Sequence, residues 1–222
     1  MRLQFSLLLI MGLLTGCVDF AVNHDKNTQH KRITHSPYLS SEIYTMRGGL
    51  GGVFSKGMNH LENTLENDYG IPASSTVWFK GHELSHSIIK RYQSSTHHRP
   101  IILVGHSLGA NEQIRIAHEL NQAHIPVALL MTIDTVIPAS IPPNVKHAFN
   151  LYKPSFVPLF SGLTVRAEDP QKTWLENINI EKINDVNVNH FTIDSHDVVQ
   201  KMMLQKVLAT LNRTSKEQTH QL

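Results

Sequence analysis

Apolar residues in this sequence occur in short continuous runs that alternate with stretches of helical spacing. The two clearest runs, residues 101–104 and 127–133, each follow a proline and are typical of strands buried on both faces. Between them, residues 108–122 place apolar side chains on one face of a helix. In chain order, the pattern predicts strand 42–47, helix 56–67, strand 76–79, helix 84–92, strand 101–104, helix 108–122, strand 127–133, strand 146–152, strand 178–183 and helix 197–211.

Short apolar strands that alternate with helices are typical of an α/β fold. We therefore predict a mainly parallel β-sheet with helices on both faces. The chain of 222 residues is long enough for one domain with a sizeable core, which we place at residues 42–214. Residues 215–222 have no clear pattern, and we expect a disordered tail there.

The first 16 residues are typical of a targeting segment. Arg2 precedes an apolar stretch, residues 3–14, that is shorter than the roughly 20 residues needed to cross a bilayer. It ends in Leu-Thr-Gly-Cys17, which resembles the lipobox of bacterial lipoproteins, where cleavage precedes the cysteine and the thiol is lipidated. An ordinary signal peptide with an incidental cysteine is the alternative. Residues 17–41 are polar and predict a flexible tether.

The lipobox resemblance implies where the protein acts. A lipidated Cys17 attaches the folded domain to a membrane of the bacterial cell envelope. In lipoproteins an aspartate after the cysteine favours retention in the inner membrane. Val18 stands at that place here, which favours the periplasmic side of the outer membrane.

Charge and composition exclude several classes of function. The 20 Lys and Arg residues against 18 Asp and Glu give a formal net charge of +2, which argues against a nucleic-acid partner. A single cysteine excludes an intrachain disulfide framework and multi-cysteine metal sites. The 15 histidines make any motif built from histidine more frequent by chance.

The first motif with chemical content is Gly105-His106-Ser107-Leu108-Gly109, a G-x-S-x-G sequence. A buried strand runs into it and a helix leaves it, which is the context of a nucleophile elbow. Small residues must flank the serine, because a side chain at Gly105 or Gly109 would collide with neighbouring backbone. The motif predicts Ser107 as a nucleophile. His106, beside it, is expected to pack or point away rather than act as the base.

A second motif, His82-Glu83-x-x-His86, matches the H-E-x-x-H sequence of zinc peptidases, in which two histidines bind zinc and the glutamate is the base. Its context disfavours that function. His82 would stand at the very start of a helix, Lys80 occupies a position that is uncharged in those families, and no third ligand motif follows. A zinc peptidase is therefore the minor alternative. Otherwise His82 borders the site and His86 lies on a solvated helix face.

A serine nucleophile needs a histidine to accept its proton and an acid to orient that histidine. Asp134 ends the strand after the elbow helix and is the only carboxylate between Glu119 and Glu168. Because an unpaired aspartate after an apolar strand is costly, we expect Asp134 to be the acid. The alternative is that Asp134 caps a turn, and Asp169 and Asp185 are then the substitutes.

Three histidines beyond the predicted elbow helix are candidates for the base. His190 lies in a loop before the last predicted helix, where it is free to reach Ser107, and it is the expected base. His196 is the alternative, expected in the first turn of that helix once Asp194 or Ser195 caps it. His147, within a predicted strand, comes third.

A tetrahedral oxyanion needs two N–H donors. Leu108 follows the nucleophile and supplies one, at a helix N-terminus that favours negative charge. The second is expected from the glycine-rich loop 48–52, with Gly49 and Leu50 as its donors. A nucleotide phosphate cradle is the alternative for this loop, but its glycine spacing matches neither the P-loop nor the dinucleotide motif.

Taken together, residues 48–194 resemble the small α/β-hydrolase-fold serine esterases, lipases and thioesterases. The segments that carry the resemblance are RGGLGG, GHSLGA at the elbow, TIDT at the next strand end and NHFTID before the last helix. The resemblance implies an enzyme with the α/β-hydrolase fold. It also implies that this enzyme cleaves a small-molecule or lipid acyl ester or thioester without a metal or other cofactor. An acyltransferase with the same residues and a non-catalytic lipoprotein that uses the fold as a binding module are alternatives.

Residues 153–177 have no clear pattern. In lipases a lid often covers the site, and the apolar side chains of Phe156, Leu159, Phe160 and Leu163 would suit one. The alternative is an ordinary loop packed on the sheet.

Overall fold

The computed structural model describes residues 41–49, 52–157 and 160–219. Within them the chain alternates between strands and helices and forms a six-stranded and a two-stranded sheet. The strands are β1 Glu42–Arg47, β2 Ala73–Val77, β3 Ile101–His106, β4 Leu129–Ile133, β5 Ser140–Ile141, β6 His147–Tyr152, β7 Arg166–Ala167 and β8 Trp174–Asn179. The helices are α1 Lys56–Tyr69, α2 Gly81–Ser94, α3 Leu108–Gln122 and α4 Asp197–Thr219.

The main sheet is parallel throughout, with the strand order β2-β1-β3-β4-β6-β8. Its two faces are covered by two hydrophobic cores. Apolar side chains of α1 and α4 belong to the core on one face, and those of α2 and α3 belong to the core on the other. The predicted fold class, a mainly parallel sheet with helices on both faces, is therefore confirmed.

The central strands β3 and β4 are buried along their whole length. Successive side chains point to opposite faces, so Ile102 and Val104 join the core under α1 and α4, while Ile101 and Leu103 join the other core. Burial on both faces explains why these strands read as continuous apolar runs in the sequence.

The edge strands differ most from the predicted ones. β2 occupies Ala73–Val77 rather than residues 76–79. β8 occupies Trp174–Asn179 rather than residues 178–183, and a 3₁₀ turn at Ile180–Lys182 follows it. Both strands are only partly buried, so they carry polar residues and lack the apolar run that marks a central strand.

The last helix is longer than its apolar pattern predicts. The apolar face of α4 ends at Leu211, but the helix continues to Thr219. Residues 215–219, expected to form part of a disordered tail, are helical, and the expectation is wrong for them. Residues 220–222 lie outside the described residues.

A row of polar side chains crosses three neighbouring strands. Thr132, Asn150 and Asn177 lie side by side in β4, β6 and β8. Thr132 Oγ1 donates to Asn150 Oδ1 at 2.8 Å, and Asn150 Nδ2 donates to Asn177 Oδ1 at 2.8 Å and to Leu163 O at 2.9 Å. Asn177 also bonds both backbone polar groups of Val165. This part of the region without a clear pattern is therefore a loop packed on the sheet.

The targeting segment, the candidate lipidation site Cys17 and all of the expected tether except Ser41 lie outside the described residues. The described chain starts at Ser41, directly before β1. Of the helices in the part that the structure describes, none is long and apolar enough to cross a membrane.

Candidate active site

The carboxyl ends of β3 and β4 are neighbours, and each is followed by a candidate residue. Ser107 comes directly after β3, and Asp134 comes directly after β4. His190 belongs to the loop before α4. Because the strands are parallel, the residues that follow their carboxyl ends meet at one edge of the sheet. The structure brings the three predicted residues together at this edge.

Ser107 occupies a sharp turn between β3 and α3. Its backbone has φ 58° and ψ −128°, a conformation that residues other than glycine rarely adopt. A Cβ atom on Gly105 would lie 2.5 Å from Gly109 O, and one on Gly109 would lie 2.4 Å from Met46 O. Both positions therefore require glycine, as the motif predicts, and the turn can present the serine at the end of the sheet.

The three side chains form one line of hydrogen bonds. Ser107 Oγ lies 2.9 Å from His190 Nε2, and His190 Nδ1 lies 2.9 Å from Asp134 Oδ2. A carboxylate only accepts, so Nδ1 carries the ring proton and Nε2 accepts from the serine hydroxyl. Ser107 is 8% exposed, whereas Asp134 is fully buried. In this arrangement the histidine can take the serine proton while the aspartate holds the ring.

Asp134 is held on all sides. Its Oδ1 accepts a 2.7 Å hydrogen bond from Lys153 N, and its backbone N–H donates to Leu151 O at 2.8 Å. A Cβ atom on Gly162 would lie 1.8 Å from Asp134 Oδ1, so the loop after β6 can pass the carboxylate only with glycine there. Asp134 also has a positive φ of 53°. Both of its oxygens are bonded, which distinguishes it from an aspartate that merely caps a turn.

Leu108 and the first residues of the glycine-rich loop lie next to the serine. Leu108 is the first residue of α3, so its N–H has no partner within the helix. A Cβ atom on Gly48 would lie 2.8 Å from Ser107 Cβ and 3.3 Å from Leu108 N. A Cβ atom on Gly49 would lie 3.6 Å from the Leu108 side chain. Both glycines thus adjoin the elbow, and Leu50, the other expected donor, lies outside the described residues.

His106 lies behind the serine, and its ring bonds other groups. Its Nδ1 lies 2.8 Å from Ser55 Oγ, and its Nε2 lies 2.9 Å from His190 O. Burial, and secondly the nearby His190, lower the pKa of His106 to about 3, so the ring is neutral at physiological pH. Asp194 Oδ2 is 3.9 Å from His106 Nδ1, but a neutral ring forms no ion pair with it.

The loop that carries His190, which we call the base loop, also contains Asp194. Like Asp134, Asp194 has a fully buried carboxylate. Its Oδ2 accepts a 2.8 Å hydrogen bond from Gly57 N at the start of α1, so it serves α1 rather than capping α4 as expected. Burial raises the pKa of Asp194 to about 7, against the opposing effect of the bond from Gly57. Gln200 donates to the carbonyl oxygens of both residues. Asp194 thereby joins the base loop to α1.

The other candidate histidines have different partners. His196 precedes α4, and its Nδ1 accepts from a backbone N–H of the first turn at 3.3 Å, so it caps the helix rather than lying in that turn. His147 is the first residue of β6, at the amino end of that strand and away from the carboxyl ends, with Nε2 2.6 Å from Glu176 Oε1. His190 is the one of the three that meets Ser107.

The substitute acids also lie apart from the base. Asp169 accepts from a backbone N–H two residues on and pairs with Lys172 at 3.5 Å. Asp185 has a positive φ of 63° in a turn that follows the 3₁₀ turn after β8. The carboxylate that His190 meets is that of Asp134.

The H-E-x-x-H residues lie on the exposed face of α2. His82, Glu83 and His86 are exposed, and the two histidine rings are 4.3 Å apart. His82 Nδ1 comes within 4.0 Å of Glu119. A zinc site uses three or four protein ligands. Among residues 41–49, 52–157 and 160–219, no group of three potential metal ligands comes together, which leaves the motif without a third ligand there.

Aromatic side chains form an exposed rim beside the serine and its histidine. Phe191 packs against Phe54 and Phe160, with ring centroids 5.1 and 5.0 Å apart. Phe160 also lies 5.6 Å from the His190 ring. Phe54, Phe160 and Phe191, which we call the apolar rim, are 40–45% exposed. Further exposed apolar side chains are Val53, Phe156 and Val157 in the same loops and Ile137 in the loop after β4.

The architecture is that of the α/β-hydrolase fold. Its parts are a parallel sheet, a serine on a strand-to-helix elbow, and an acid and a histidine that follow in that chain order. No protein-family model and no curated protein sequence matches the chain.

Several solved structures are similar to this one. The type II thioesterase BorB from the borrelidin biosynthetic cluster is 10% identical, with 78% of this chain and 93% of that chain covered and a TM-score of 0.41. The RedJ thioesterase from the prodiginine pathway of Streptomyces coelicolor is 11% identical, with coverages of 78% and 88% and a TM-score of 0.44. A protein of the α/β-hydrolase superfamily from Xanthomonas campestris pv. campestris is 11% identical, with coverages of 75% and 99% and a TM-score of 0.38.

Proposed function

We propose that the protein is a serine hydrolase that cleaves an acyl ester or thioester through an acyl-enzyme intermediate. Ser107 is the nucleophile, His190 is the general base, and Asp134 orients the histidine. The observation that carries the proposal is the line of two 2.9 Å hydrogen bonds that joins these side chains at the carboxyl edge of a parallel sheet.

In the acylation step, Ser107 Oγ attacks the acyl carbonyl while His190 Nε2 takes the hydroxyl proton. A C–O bond forms and the carbonyl π pair moves to the oxygen, whose charge the N–H groups of Leu108 and of Gly49 or Leu50 stabilise. Collapse breaks the bond to the leaving alcohol or thiol, which receives the proton from His190. Water then repeats the sequence on the acyl-enzyme and releases the acid.

The acyl group of the substrate is proposed to be apolar. Support comes from the apolar rim, whose Phe160 lies 5.6 Å from the His190 ring. An exposed cluster of large apolar side chains is costly for a monomer unless it binds something apolar. At roughly 25 cal/mol per Å² of apolar area, covering such side chains with an acyl chain contributes substantially to binding.

We also propose that the enzyme is anchored in a bacterial envelope membrane through lipid on Cys17, with the outer membrane favoured. The lipobox resemblance and the single cysteine of the chain support this. In a bacterial host, mass spectrometry of the protein from membranes should find an N-terminal lipidated cysteine. The Cys17→Ser variant should carry no lipid, and a wild-type protein from membranes whose N-terminus is unlipidated would contradict the proposal.

Labelling with a fluorophosphonate probe tests the hydrolase proposal. The full chain, purified in detergent, should give one adduct, and mass spectrometry should locate it on Ser107. Ser107→Ala should give none, because the adduct forms on the activated hydroxyl. His190→Ala should react very slowly, whereas His196→Ala, a matched control at a helix cap, should react like the wild type.

Substrate turnover completes the test. A series of acyl esters and thioesters should be hydrolysed by the wild type, and Ser107→Ala should reduce kcat by more than about 10³-fold. A folded wild-type protein that neither forms the adduct nor hydrolyses any of the series would instead favour the binding-module alternative. Retention of activity in Ser107→Ala would refute the mechanism.

A further inference from the structure

Behind the proposed nucleophile, a chain of hydrogen bonds joins three separate segments of the site. The N–H of Gly48, in the glycine-rich loop, donates to Ser55 Oγ at 2.9 Å. Ser55 Oγ lies 2.8 Å from His106 Nδ1, and His106 Nε2 lies 2.9 Å from His190 O. The chain therefore runs from the loop that borders the oxyanion position, past the elbow, to the backbone of the proposed base.

One assignment of protons satisfies every link. The His190 carbonyl can only accept, so His106 carries its proton on Nε2. The neutral ring then accepts at Nδ1, so the Ser55 hydroxyl donates to it. That leaves the serine oxygen to accept from Gly48 N–H. The chain is complete only with a neutral His106 of this tautomer.

The surroundings of His106 favour that state. The ring is 1% exposed, and the groups that face it are the Ser55 hydroxyl, the His190 backbone and ring, and the Asp194 carboxyl. Burial lowers its pKa to about 3, so it remains neutral over the range in which a free histidine titrates.

The Ser55 hydroxyl does not make the local hydrogen bond that is usual for a serine at its position. It precedes α1 at the N-cap position, where a serine usually accepts a hydrogen bond from the first turn of the helix. Ser55 makes no such bond, and the carboxyl of Asp194 accepts from Gly57 N instead. The hydroxyl is thereby left for Gly48 and His106.

We propose that His106 and Ser55 are positioning residues of the hydrolase, which fix the glycine-rich loop and the backbone of His190 relative to Ser107. They touch neither substrate nor the reacting atoms. The inference rests on the proposed function. It adds that His106, the residue before the nucleophile in the G-x-S-x-G motif, has a structural role as a hydrogen-bond donor. Loss of either link should let the base and the oxyanion loop shift, and misplacement by about 1 Å costs on the order of 10²-fold in rate.

Ser55→Ala and His106→Leu remove the links, and His106→Gln restores a neutral side chain with one donor group and one acceptor. In the full chain, the first two should lower kcat about 10–100-fold with little change in KM, because orientation rather than binding is lost. His106→Gln should recover most of kcat and keep the wild-type dependence on pH. Thermal unfolding checks that each variant is folded, and Ser55→Ala carries the test if His106→Leu does not fold.

Nitrogen NMR of ¹⁵N-histidine-labelled protein provides a readout that does not need activity. His106 should be protonated on Nε2 and should not titrate between about pH 5 and 9. The proton shared by His190 and Asp134 should shift in Ser55→Ala. A His106 ring that titrates near its ordinary pKa, or wild-type kcat in both Ser55→Ala and His106→Leu, would overturn the inference. Inactivity of the wild type would refute the proposed function, and the NMR result would still decide the proton assignment.

Discussion

Two Ser–His–Asp groups lie back to back in the part of the chain that the structure describes. The outer group consists of Ser107, His190 and Asp134. The inner group consists of Ser55, His106 and Asp194. In the outer group the histidine turns one nitrogen to the serine and the other to the aspartate. In the inner group both partners face Nδ1, with the aspartate at 3.9 Å, and Nε2 bonds a backbone carbonyl.

The comparison shows that residue types alone do not define a proton relay. In the outer group Ser107 is 8% exposed, and it can release its proton to a histidine nitrogen whose ring is held by Asp134 on the far side. In the inner group Ser55 is 2% exposed, its oxygen already accepts from Gly48 N–H, and the His106 ring bonds the His190 carbonyl. The same three residue types therefore form a proposed catalytic group in one place and a proposed positioning group in the other.

Exchanging each aspartate for asparagine separates the two groups most sharply. Asp134→Asn should lower kcat by about 10⁴-fold, because an amide favours the wrong tautomer of His190. Asp194→Asn, the matched control, should change kcat less than about tenfold, since its oxygen can still accept from Gly57 N. Steady-state kinetics with one ester measures both. Equal losses in the two variants would contradict the distinction.

Substitution of two adjacent glycines tests how strictly the position of the glycine-rich loop is constrained. Gly48→Ala would place a Cβ atom 2.6 Å from His106 O and 2.8 Å from Ser107 Cβ, so the loop or the elbow must move. We expect kcat to fall about 10²-fold, as it does when one oxyanion donor is lost. Among the described residues, a Cβ atom on Gly49 meets the Leu108 side chain at 3.6 Å, an ordinary contact, so Gly49→Ala should lower kcat much less than Gly48→Ala. Tolerance of both substitutions would show that the loop position does not matter.

The apolar rim contacts the His190 ring of the outer group through Phe160 and Phe191, and it should affect substrate preference. Phe160→Ala should lower kcat/KM for a long acyl ester by roughly tenfold, equivalent to about 1.4 kcal/mol of lost apolar contact, and leave an acetyl ester nearly unchanged. Tyr69→Ala, which removes an exposed aromatic ring at the far end of α1, is the control. A Phe160→Ala variant with an unaltered chain-length profile would argue against an acyl contact.

The smallest effect concerns the stability of the inner group. The pKa of Asp194 is raised from 3.8 to about 7 on folding, so its favourable contribution is complete below pH 4 and is lost as the pH rises through about 7. Asp194→Asn lacks this ionisation. Its Tm relative to the wild type should therefore increase between pH 5 and pH 8, as measured by differential scanning fluorimetry. A difference in Tm that does not vary with pH would show that the carboxyl is not perturbed.

The sequence was most informative where burial was complete. β3 and α3 were predicted because a strand covered on both faces and a helix with one apolar face leave clear patterns. β8 was predicted at the wrong residues because it is a partly buried edge strand. The side chain of its Asn177 forms hydrogen bonds in the polar row across the sheet. No local pattern records a hydrogen bond to a neighbouring strand.

The same limit applies to the site. Ser107 and Asp134 carried local signals, namely an elbow motif and a lone carboxylate after an apolar strand, and the structure places both beside His190. Ser55 was missed because its partner His106 is 51 residues away in the chain. The one available hint was a serine directly before a predicted helix, and that indicates a helix cap rather than a link to a distant ring.

The distance along the chain between Ser107 and His190 also sets the order in which the site can assemble. The two residues are 83 positions apart, and the histidine comes from the loop that directly precedes the last helix. A nascent polypeptide that ends before residue 190 lacks the histidine that meets Ser107. Closing so long a segment is slow relative to local folding. On the proposed mechanism, the serine therefore gains its base late in biosynthesis, when nearly all of the domain has been made.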